Sequence, residues 1–170
     1  MAVSKDCIGL AAEFAVASEL CRRGIYAQLT FGNRKRTDIL VMSEHDLFTT
    51  IEVKAKQGST WPNCKGIYGN QCLLVLVDFS NRNENERPDF YIMNSEDWFE
   101  VVNKEIRNFK DKKPGINIEI DSENVPVWVD QINKYGKPYR GMGISPKMIQ
   151  EHKEAWHKIS DQVSTNEHFT

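Results

Sequence analysis

The N-terminal segment repeats apolar positions with the period of an α-helix. Between residues 5 and 23, alanine, isoleucine, leucine and valine recur every three or four positions and form a broad apolar stripe. Gly24 then stands where helices commonly end, and Arg22 and Arg23 before it complement the helix dipole. The pattern predicts an amphipathic first helix.

The apolar segments that follow have the length and composition of β-strands. They cover residues 25–31, 37–42 and 47–56, and the last two flank a short polar turn, which predicts an antiparallel hairpin. Residues 57–71 contain three glycines and a proline and predict a long loop. Residues 72–79 are almost continuously apolar, which is typical of a strand buried on both faces.

The second half of the chain predicts one more strand and two helices. The strand covers residues 89–93, and a helix is expected to begin at Ser95, where polar residues supply capping groups. Ser145 and Pro146 are typical of a helix start, with an N-cap followed by proline in the first turn. They predict a helix over residues 147–159.

The chain as a whole is interpreted as one domain. Its 170 residues suffice to bury a substantial core, although the pattern leaves the order of elements between residues 110 and 143 open. We expect an α+β, α/β sandwich-like domain over residues 1–160, in which a mixed sheet is flanked by helices. Residues 161–170 are predicted to be a polar C-terminal tail.

Composition excludes several classes of protein. Charged residues make up 27% of the chain and hydrophobic residues 40%, which excludes a fibre or a disordered chain. The longest apolar run, residues 72–77, is too short to cross a bilayer, so no membrane association is expected. Four cysteines without a CxxC pair indicate neither a disulfide framework nor a zinc site. We expect a cytoplasmic protein.

Charge is distributed unevenly along the chain. The formal net charge is −2, yet residues 22–77 hold eight basic residues against four acidic ones. A basic region on an otherwise acidic protein is a candidate footprint for a polyanion. A solvated surface explains the same pattern, so charge alone leaves both interpretations open.

The segment with the most specific chemistry is the predicted strand over residues 47–56. Side chains alternate along a strand, so Glu52 and Lys54 share one face, opposite the apolar residues Ile51, Val53 and Ala55. If the hairpin pairs as predicted, Asp38 on the preceding strand lies near Glu52. Two carboxylates there would suit a hard cation such as Mg²⁺, which is commonly completed by water and phosphate.

This combination of residues resembles the PD-(D/E)XK nuclease superfamily, in particular its restriction-endonuclease-like and archaeal Holliday-junction-resolvase-like members. The resemblance covers roughly the first 80 residues and implies a restriction-endonuclease-like core. The matching elements, in chain order, are Gly9-Leu10-Ala11-Ala12-Glu13, Gly32-Asn33, Thr37-Asp38 and Ile51-Glu52-Val53-Lys54.

The resemblance implies a role for each of these residues. Asp38 and Glu52 would hold Mg²⁺, for which Mn²⁺ would substitute, together with the carbonyl of Val53. Glu13 would be a further ligand, direct or through water. Lys54 would position and help deprotonate the attacking water, or stabilise charge on the phosphate. The alternative is an exposed polar strand face with no catalytic role.

The chain departs from the family pattern at two places. Family members have a helix between the E-x-K strand and the next strand, whereas residues 57–71 carry no helix signal. Thr37 stands where the family has proline before the aspartate. The first departure concerns the topology after residue 56 and leaves the site itself unaffected.

Further residues are candidates for nucleic-acid contact. Asn33, Arg34, Lys35 and Arg36 lie just before the motif aspartate and could bind the DNA backbone, or they could form a solvated turn. By strand alternation, Lys56 shares the face of Glu52, and Gln57 follows it; both could contact phosphate or form a solvated strand end. Of the remaining candidates, Trp61 is predicted to lie in the core, and His152 and His157 are predicted to be surface residues without a metal-binding role.

The function predicted from the sequence is metal-dependent endonuclease activity that hydrolyses phosphodiester bonds of double-stranded or branched DNA. A chain of this length has little room for a separate target-recognition domain, which favours structure-directed cutting or dependence on a partner; a homodimer stays open. One alternative is a catalytically inactive, nuclease-derived module that binds nucleic acid or protein. The other is a protein-interaction domain whose basic stretch is incidental.

Overall fold

The structure is a computed structural model that describes residues 3–30, 37–42 and 48–165. Its three helices are α1 (Lys5–Arg22), α2 (Ser95–Lys112) and α3 (His157–Thr165). Its strands are β1 (Ala27–Leu29), β2 (Ile39–Met42), β3 (Phe48–Lys56), β4 (Trp61–Cys64), β5 (Cys72–Asp78), β6 (Asp89–Met93), β7 (Ile118–Ile120), β8 (Pro126–Ile132), β9 (Pro138–Arg140) and β10 (Met142–Ile144). No helix in these ranges is long and apolar enough to cross a membrane.

A five-stranded mixed sheet organises the molecule, in the order β1-β2-β3-β5-β6. β3 and β5 are parallel, and the other neighbouring pairs are antiparallel, including the β2–β3 hairpin that the sequence predicts. Helices cover the sheet, with α1 and α3 packed into one core cluster and α2 into the other. The predicted α+β class, a mixed sheet flanked by helices, is confirmed.

The strand predicted to be buried on both faces has that environment. In β5, Leu73 and Val75 pack into the cluster that contains α1, whereas Leu74 and Leu76 pack into the cluster that contains α2. All four are at most 1% exposed. β5 therefore separates two cores, which explains why its sequence shows no polar alternation.

Helix α1 begins at Ser4, whose side chain caps the amide of Cys7, and it ends before Gly24, which adopts the left-handed conformation with φ +78°. Its inner face packs through Val16 and Leu20. The outer face differs from the amphipathic pattern expected, because Leu10 and Phe14 on it are about half exposed.

The segment between β3 and β5 contains no helix, as its sequence indicates, but it is not entirely a loop. Residues 61–64 form β4, which pairs with β10 in a separate two-stranded sheet. The Trp61 indole donates to the carbonyl of Val77 at 3.1 Å, and Trp61 is 1% exposed, so its predicted place in the core is confirmed. The pairing of β4 with β10 joins residues some eighty positions apart, which local sequence patterns cannot reveal.

Helix α2 has a different cap from the one expected. Asn94, not Ser95, is the N-cap: its side chain accepts from the amide of Asp97, and the Asp97 carboxylate accepts from the amide of Asn94, both at 2.8 Å. This reciprocal capping box begins the helix at Ser95. Trp98 then lies fully buried on the inner face.

The helix predicted over residues 147–159 is wrong in its position. Short 3₁₀ turns occupy 146–148 and 150–152, and α3 begins only at residue 157 and continues to 165, inside the predicted tail. The reason is a competing contact with β6. Lys153 forms an isolated antiparallel β-bridge with Tyr91, and the amide of Glu154 donates to the carbonyl of Phe90 at 2.8 Å. Residues 166–170 lie outside the described residues.

Candidate active site

Strand β3 places a carboxylate and an ammonium group beside each other on one face of the sheet. The ammonium of Lys54 lies 2.7 Å from Oε1 of Glu52. The Glu52 side chain is 7% exposed, whereas that of Lys54 is 43% exposed. The pair therefore consists of a buried carboxylate and a cation that still reaches solvent, on the face that strand alternation predicts.

Asp38 is held against the same strand by a hydrogen bond to the backbone. Its Oδ2 accepts from the amide of Val53 at 2.7 Å, and its own amide donates to the carbonyl of Ile51 at 3.0 Å. Val53 stands between Glu52 and Lys54 in the sequence. The Asp38 carboxylate is thereby fixed next to the E-x-K segment.

Glu13 approaches this group from helix α1. Burial raises the pKa of the Glu13 carboxyl, the charge of Asp38 raises it further, and the charge of Lys54 lowers it. Glu13 is therefore close enough to both residues for their charges to act on it. The structure thus places Asp38 and Lys54 at β3 with Glu52, and Glu13 within electrostatic range of Asp38 and Lys54.

Lys54 keeps its proton in this environment. Burial lowers the pKa of the Lys54 ammonium, but the neighbouring carboxylates of Glu52 and Asp38 outweigh that effect, so the pKa is raised above its ordinary value. A charged ammonium donates hydrogen bonds and has no lone pair to accept a proton. In the protein without metal, Lys54 is thus suited to stabilise negative charge and not to act as a base.

One carboxylate oxygen at the site has no partner. Oε2 of Glu52 is buried and makes no hydrogen bond to any of the described residues. A buried charged oxygen without a partner is costly unless a cation completes it. Carboxylate and carbonyl oxygens are the donors that Mg²⁺ accepts.

The protein side chains alone do not form a complete metal cage. Within residues 3–30, 37–42 and 48–165, no group of three or more His, Cys, Asp and Glu side chains is arranged to hold a metal ion. Lys54 occupies one oxygen of Glu52, and the amide of Val53 occupies one oxygen of Asp38. Mg²⁺ sites that act on phosphates commonly use one or two carboxylates and take the remaining ligands from water and substrate.

A cavity of about 710 Å³ opens above the Glu52–Lys54 pair. Its other lining residues come from β4 and the segment after it, from the turn between β7 and β8, and from β9, and they are Asn63, Lys65, Tyr68, Glu123 and Arg140. The sequence pattern does not single out these residues, because they lie 9 to 88 positions from the E-x-K residues. Their basic and polar types would have been the only signal.

Lys56 does not reach this cavity. It is 4% exposed, its ammonium lies 2.6 Å from Oδ1 of Asp78, and it donates to the carbonyl of Gly58 at 3.0 Å and to Oγ of Ser80 at 3.1 Å. It also lies over the Trp61 ring, 4.7 Å from the centroid. The expected phosphate contact by Lys56 is therefore corrected, because its charge is satisfied inside the protein.

The other nucleic-acid candidates have different outcomes. Gln57 is exposed at the end of β3. Asn33, Arg34, Lys35 and Arg36 lie outside the described residues. The described residues on either side of that segment meet, because the amide of Thr30 donates to the carbonyl of Asp38 at 3.0 Å. Thr30, the last described residue before that segment, therefore lies beside the backbone of Asp38.

One histidine differs from its expected position. His157 is exposed as expected, but His152 is 7% exposed and not a surface residue. Its Nδ1 lies 3.0 Å from the ammonium of Lys158, which in turn lies 2.6 Å from Oδ2 of Asp97. Burial and the charge of Lys158 lower the pKa of His152. This cluster ties the C-terminal segment to the start of α2.

Comparison with known proteins gives a structural likeness but no match in sequence. No protein-family model matches the chain. No curated protein matches it in sequence. Among solved structures, that of a bacterial homing endonuclease, I-Ssp6803I, is similar over 98% of this chain and 100% of that chain, with 14% sequence identity and a TM-score of 0.48. The chemistry of the site must therefore carry the functional assignment.

Proposed function

We propose that this protein is a metal-dependent endodeoxyribonuclease with a PD-(D/E)XK-type catalytic centre. The observation that carries the proposal is the buried Oε2 of Glu52, which has no hydrogen-bond partner among the described residues. The other oxygen of Glu52 binds the Lys54 ammonium, and Asp38 binds the amide of the next residue, Val53. A strand face with a purely structural role would have no reason to keep a buried anionic oxygen without a partner.

Asp38, Glu52 and the carbonyl of Val53 would hold Mg²⁺ or Mn²⁺, and Glu13 would complete the site directly or through water. When bound, the metal supplies Lewis-acid activation of the scissile phosphate and of the attacking water. The raised pKa of Glu13 supports this assignment, because burial and the charge of Asp38 both disfavour its anionic form, and a bound cation would offset that cost.

Lys54 would act on the substrate. Its side chain is partly exposed at the floor of the cavity, so the ammonium can turn from Glu52 towards a phosphate oxygen. There it would donate a hydrogen bond and offset the negative charge that develops as the phosphodiester is attacked. Its raised pKa favours this electrostatic role over proton abstraction.

DNA is the proposed substrate because the walls of the cavity carry cations where the chain of a nucleic acid would pass. Lys65 and Arg140 line the cavity beside the Glu52–Lys54 pair, and three basic residues, Arg34, Lys35 and Arg36, shortly precede Asp38 in the sequence. A nuclease-derived binding module without activity is the alternative. The intact set of Glu13, Asp38, Glu52 and Lys54 favours catalysis.

The test is a cleavage assay with matched variants. Supercoiled plasmid, a four-way DNA junction and single-stranded DNA are incubated with the protein in Mg²⁺, in Mn²⁺ and in EDTA. We expect cleavage of duplex or branched DNA with either metal, none in EDTA, and none with Glu52→Gln or Asp38→Asn. DNA binding without cleavage in every metal would favour the inactive module, and cleavage by Glu52→Gln would remove the assigned site.

A further inference from the structure

The β8–β9 hairpin extends from the body of the protein. Every residue from 130 to 138 is exposed, although the two strands remain hydrogen-bonded and pair Ile132 with Pro138. The register shifts between Trp128 and Ile132, and such irregularities increase the twist of a two-stranded ribbon. We call residues 130–140 the arm.

The arm is rigid at both ends. At its base, the Trp128 indole donates to the carbonyl of Gly141 at 2.8 Å and packs edge-on against Phe109 of α2. At its tip, Oδ1 of Asn133 accepts from the amides of Tyr135 at 2.8 Å and Lys137 at 3.2 Å. The conformation of the tip is therefore fixed before any partner binds, which lowers the entropic cost of binding.

The tip presents cations and an aromatic ring. Tyr135 is 74% exposed, the ammonium of Lys134 lies 4.9 Å from its ring centroid, and Lys137 follows on the same turn. No carboxylate occurs between residues 131 and 140, and Asp130 at the start of the arm is the nearest one in the sequence. An exposed aromatic ring between two lysines offers phosphate contacts and a stacking or groove contact together.

The base of the arm is a wall of the catalytic cavity. Arg140 of β9 lines the cavity with Glu52 and Lys54, and the Tyr139 hydroxyl is hydrogen-bonded to the Asn63 side chain on the opposite wall. Arg140 itself is ion-paired with Asp121 and Glu123. The net positive charge of the arm therefore resides at its tip, in Lys134 and Lys137.

We propose that the arm binds a groove of duplex DNA beside the cleaved bond and supplies the contacts that select where the enzyme cuts; this rests on the proposed nuclease function. A strand rises about 3.3 Å per residue, so the tip lies about 10 to 15 Å beyond Arg140. DNA rises about 3.4 Å per base pair. An arm lying along the duplex would place its tip about three to five base pairs from the scissile phosphate.

The shape of the arm favours DNA over RNA. The major groove of B-form DNA admits a two-stranded β-ribbon, whereas the major groove of A-form RNA is too deep and narrow for side chains to read. Lys134 and Lys137 would contact phosphates on the groove edges, and Tyr135 would contact bases or sugars between them. Duplex RNA is accordingly the competitor that the test includes.

The binding test uses a 30-base-pair DNA duplex in EDTA, where no cleavage occurs, and measures affinity by fluorescence anisotropy at several salt concentrations. The variants are Lys134→Ala/Lys137→Ala and, as a matched control, Lys104→Ala/Lys110→Ala on the exposed face of α2. We expect the arm variant to weaken binding at least about tenfold and to reduce the slope of log K against log salt by about 1.8. The control should change neither quantity.

The cleavage test separates this proposal from the proposed function. With Tyr135→Ala we expect a loss of preference among cleavage positions, read by sequencing the cut ends, whereas the control Lys104→Ala/Lys110→Ala should keep both the single-turnover rate and the preference. The proposed role of the arm would be overturned if its variants bound DNA and chose cleavage positions like the wild type. It would also be overturned if duplex RNA competed for binding as well as duplex DNA. Either result would leave the proposed nuclease function standing. A protein that cuts no DNA in any metal would instead overturn the proposed function.

Discussion

The carboxylate of Asp38 accepts a hydrogen bond from the amide of Val53 at 2.7 Å. In a regular ladder, a backbone carbonyl of the neighbouring strand would accept from that amide. β2 pairs regularly with β3 only from Ile39 onwards, so the Asp38 side chain replaces a backbone partner where the two strands separate. This hydrogen bond holds the Asp38 carboxylate next to Glu52 and Lys54 on β3.

The first prediction separates metal binding from chemistry. Lys54→Ala should lower the single-turnover cleavage rate by about two to four orders of magnitude, because the loss of one electrostatic or proton-transferring group has that scale. Mn²⁺ affinity, measured by isothermal titration, should stay unchanged or increase, since a neighbouring positive charge is removed.

Lys65→Ala provides the control, because Lys65 lines the same cavity without contacting Glu52 in the structure. It should weaken DNA binding modestly and leave the cleavage rate at saturation intact. Full activity of Lys54→Ala would show that the E-x-K match is accidental.

The second prediction concerns Glu13 and the stability of the metal-free protein. A carboxyl whose pKa is raised in the folded state stabilises the fold at low pH, and this contribution is lost as the pH rises through the folded pKa. Glu13→Gln should therefore raise the urea midpoint at pH 7 and change it little at pH 4. The same variant should lose cleavage activity. A lower midpoint at pH 7 would contradict the cost that burial and the charge of Asp38 place on the Glu13 anion.

The third prediction concerns Glu19, which joins α1 to the chain before β6. The Arg87 guanidinium, aided by Arg23, holds the pKa of Glu19 at about 2 although burial opposes this, and Arg87 also binds Glu154 at 2.8 Å. A lowered carboxyl pKa stabilises the fold above the unfolded value near 4.5, and the effect fades as the pH falls towards 2.

Glu19→Gln should therefore cost about 2 kcal/mol of unfolding free energy at pH 7, the scale for losing hydrogen bonds to a charged group. The difference from the wild type should shrink steadily between pH 5 and about pH 2 in urea titrations. A difference that stayed constant over this range would mean that the loss arises from packing and not from charge.

The fourth prediction tests the close approach of a loop to α2. A Cβ at Gly66 would overlap the indole of the fully buried Trp98, and its φ of +67° is unfavourable for any other residue. Gly66→Ala should destabilise the protein by about 3 kcal/mol in chemical denaturation. Gly69→Ala is the control: it has a similar φ of +88° but open space around it, and should cost about 1 kcal/mol.

The fifth prediction addresses the basic segment before Asp38. Neutralising Arg34, Lys35 and Arg36 together should flatten the salt dependence of DNA binding, because each phosphate contact contributes about one unit to the slope of log K against log salt. The measurement is an anisotropy titration at salt concentrations between about 50 and 300 mM, a range over which the Debye length shortens. An unchanged slope would place the DNA away from residues 31–36.

Local sequence patterns were sufficient for the central sheet and for the helix that precedes it. β3, β5 and β6 follow from alternation and from continuous apolar runs, and β6 occupies the residues predicted for it. The same alternation placed Glu52 and Lys54 on one face, because that face depends only on the period of a strand.

What the sequence could not reveal depends on contacts between distant segments. The alternation that places Lys56 on the face of Glu52 cannot show that Asp78 and Trp61 cover it. The sequence predicts an exposed His152, because nothing near it in the sequence indicates its contacts with Asp97 and Lys158. In both cases a polar residue is buried by partners from other elements, which periodicity does not encode.

The place of β3 in the sheet has a consequence for how activity is lost. As the third of five strands it has a hydrogen-bonded neighbour on either side, so fraying at the sheet edges does not reach Glu52 or Lys54. Amides at the centre of such a sheet exchange their hydrogens only in openings that approach complete unfolding. Catalytic geometry and global fold should therefore disappear in one cooperative transition, and residual activity would report directly on the folded fraction.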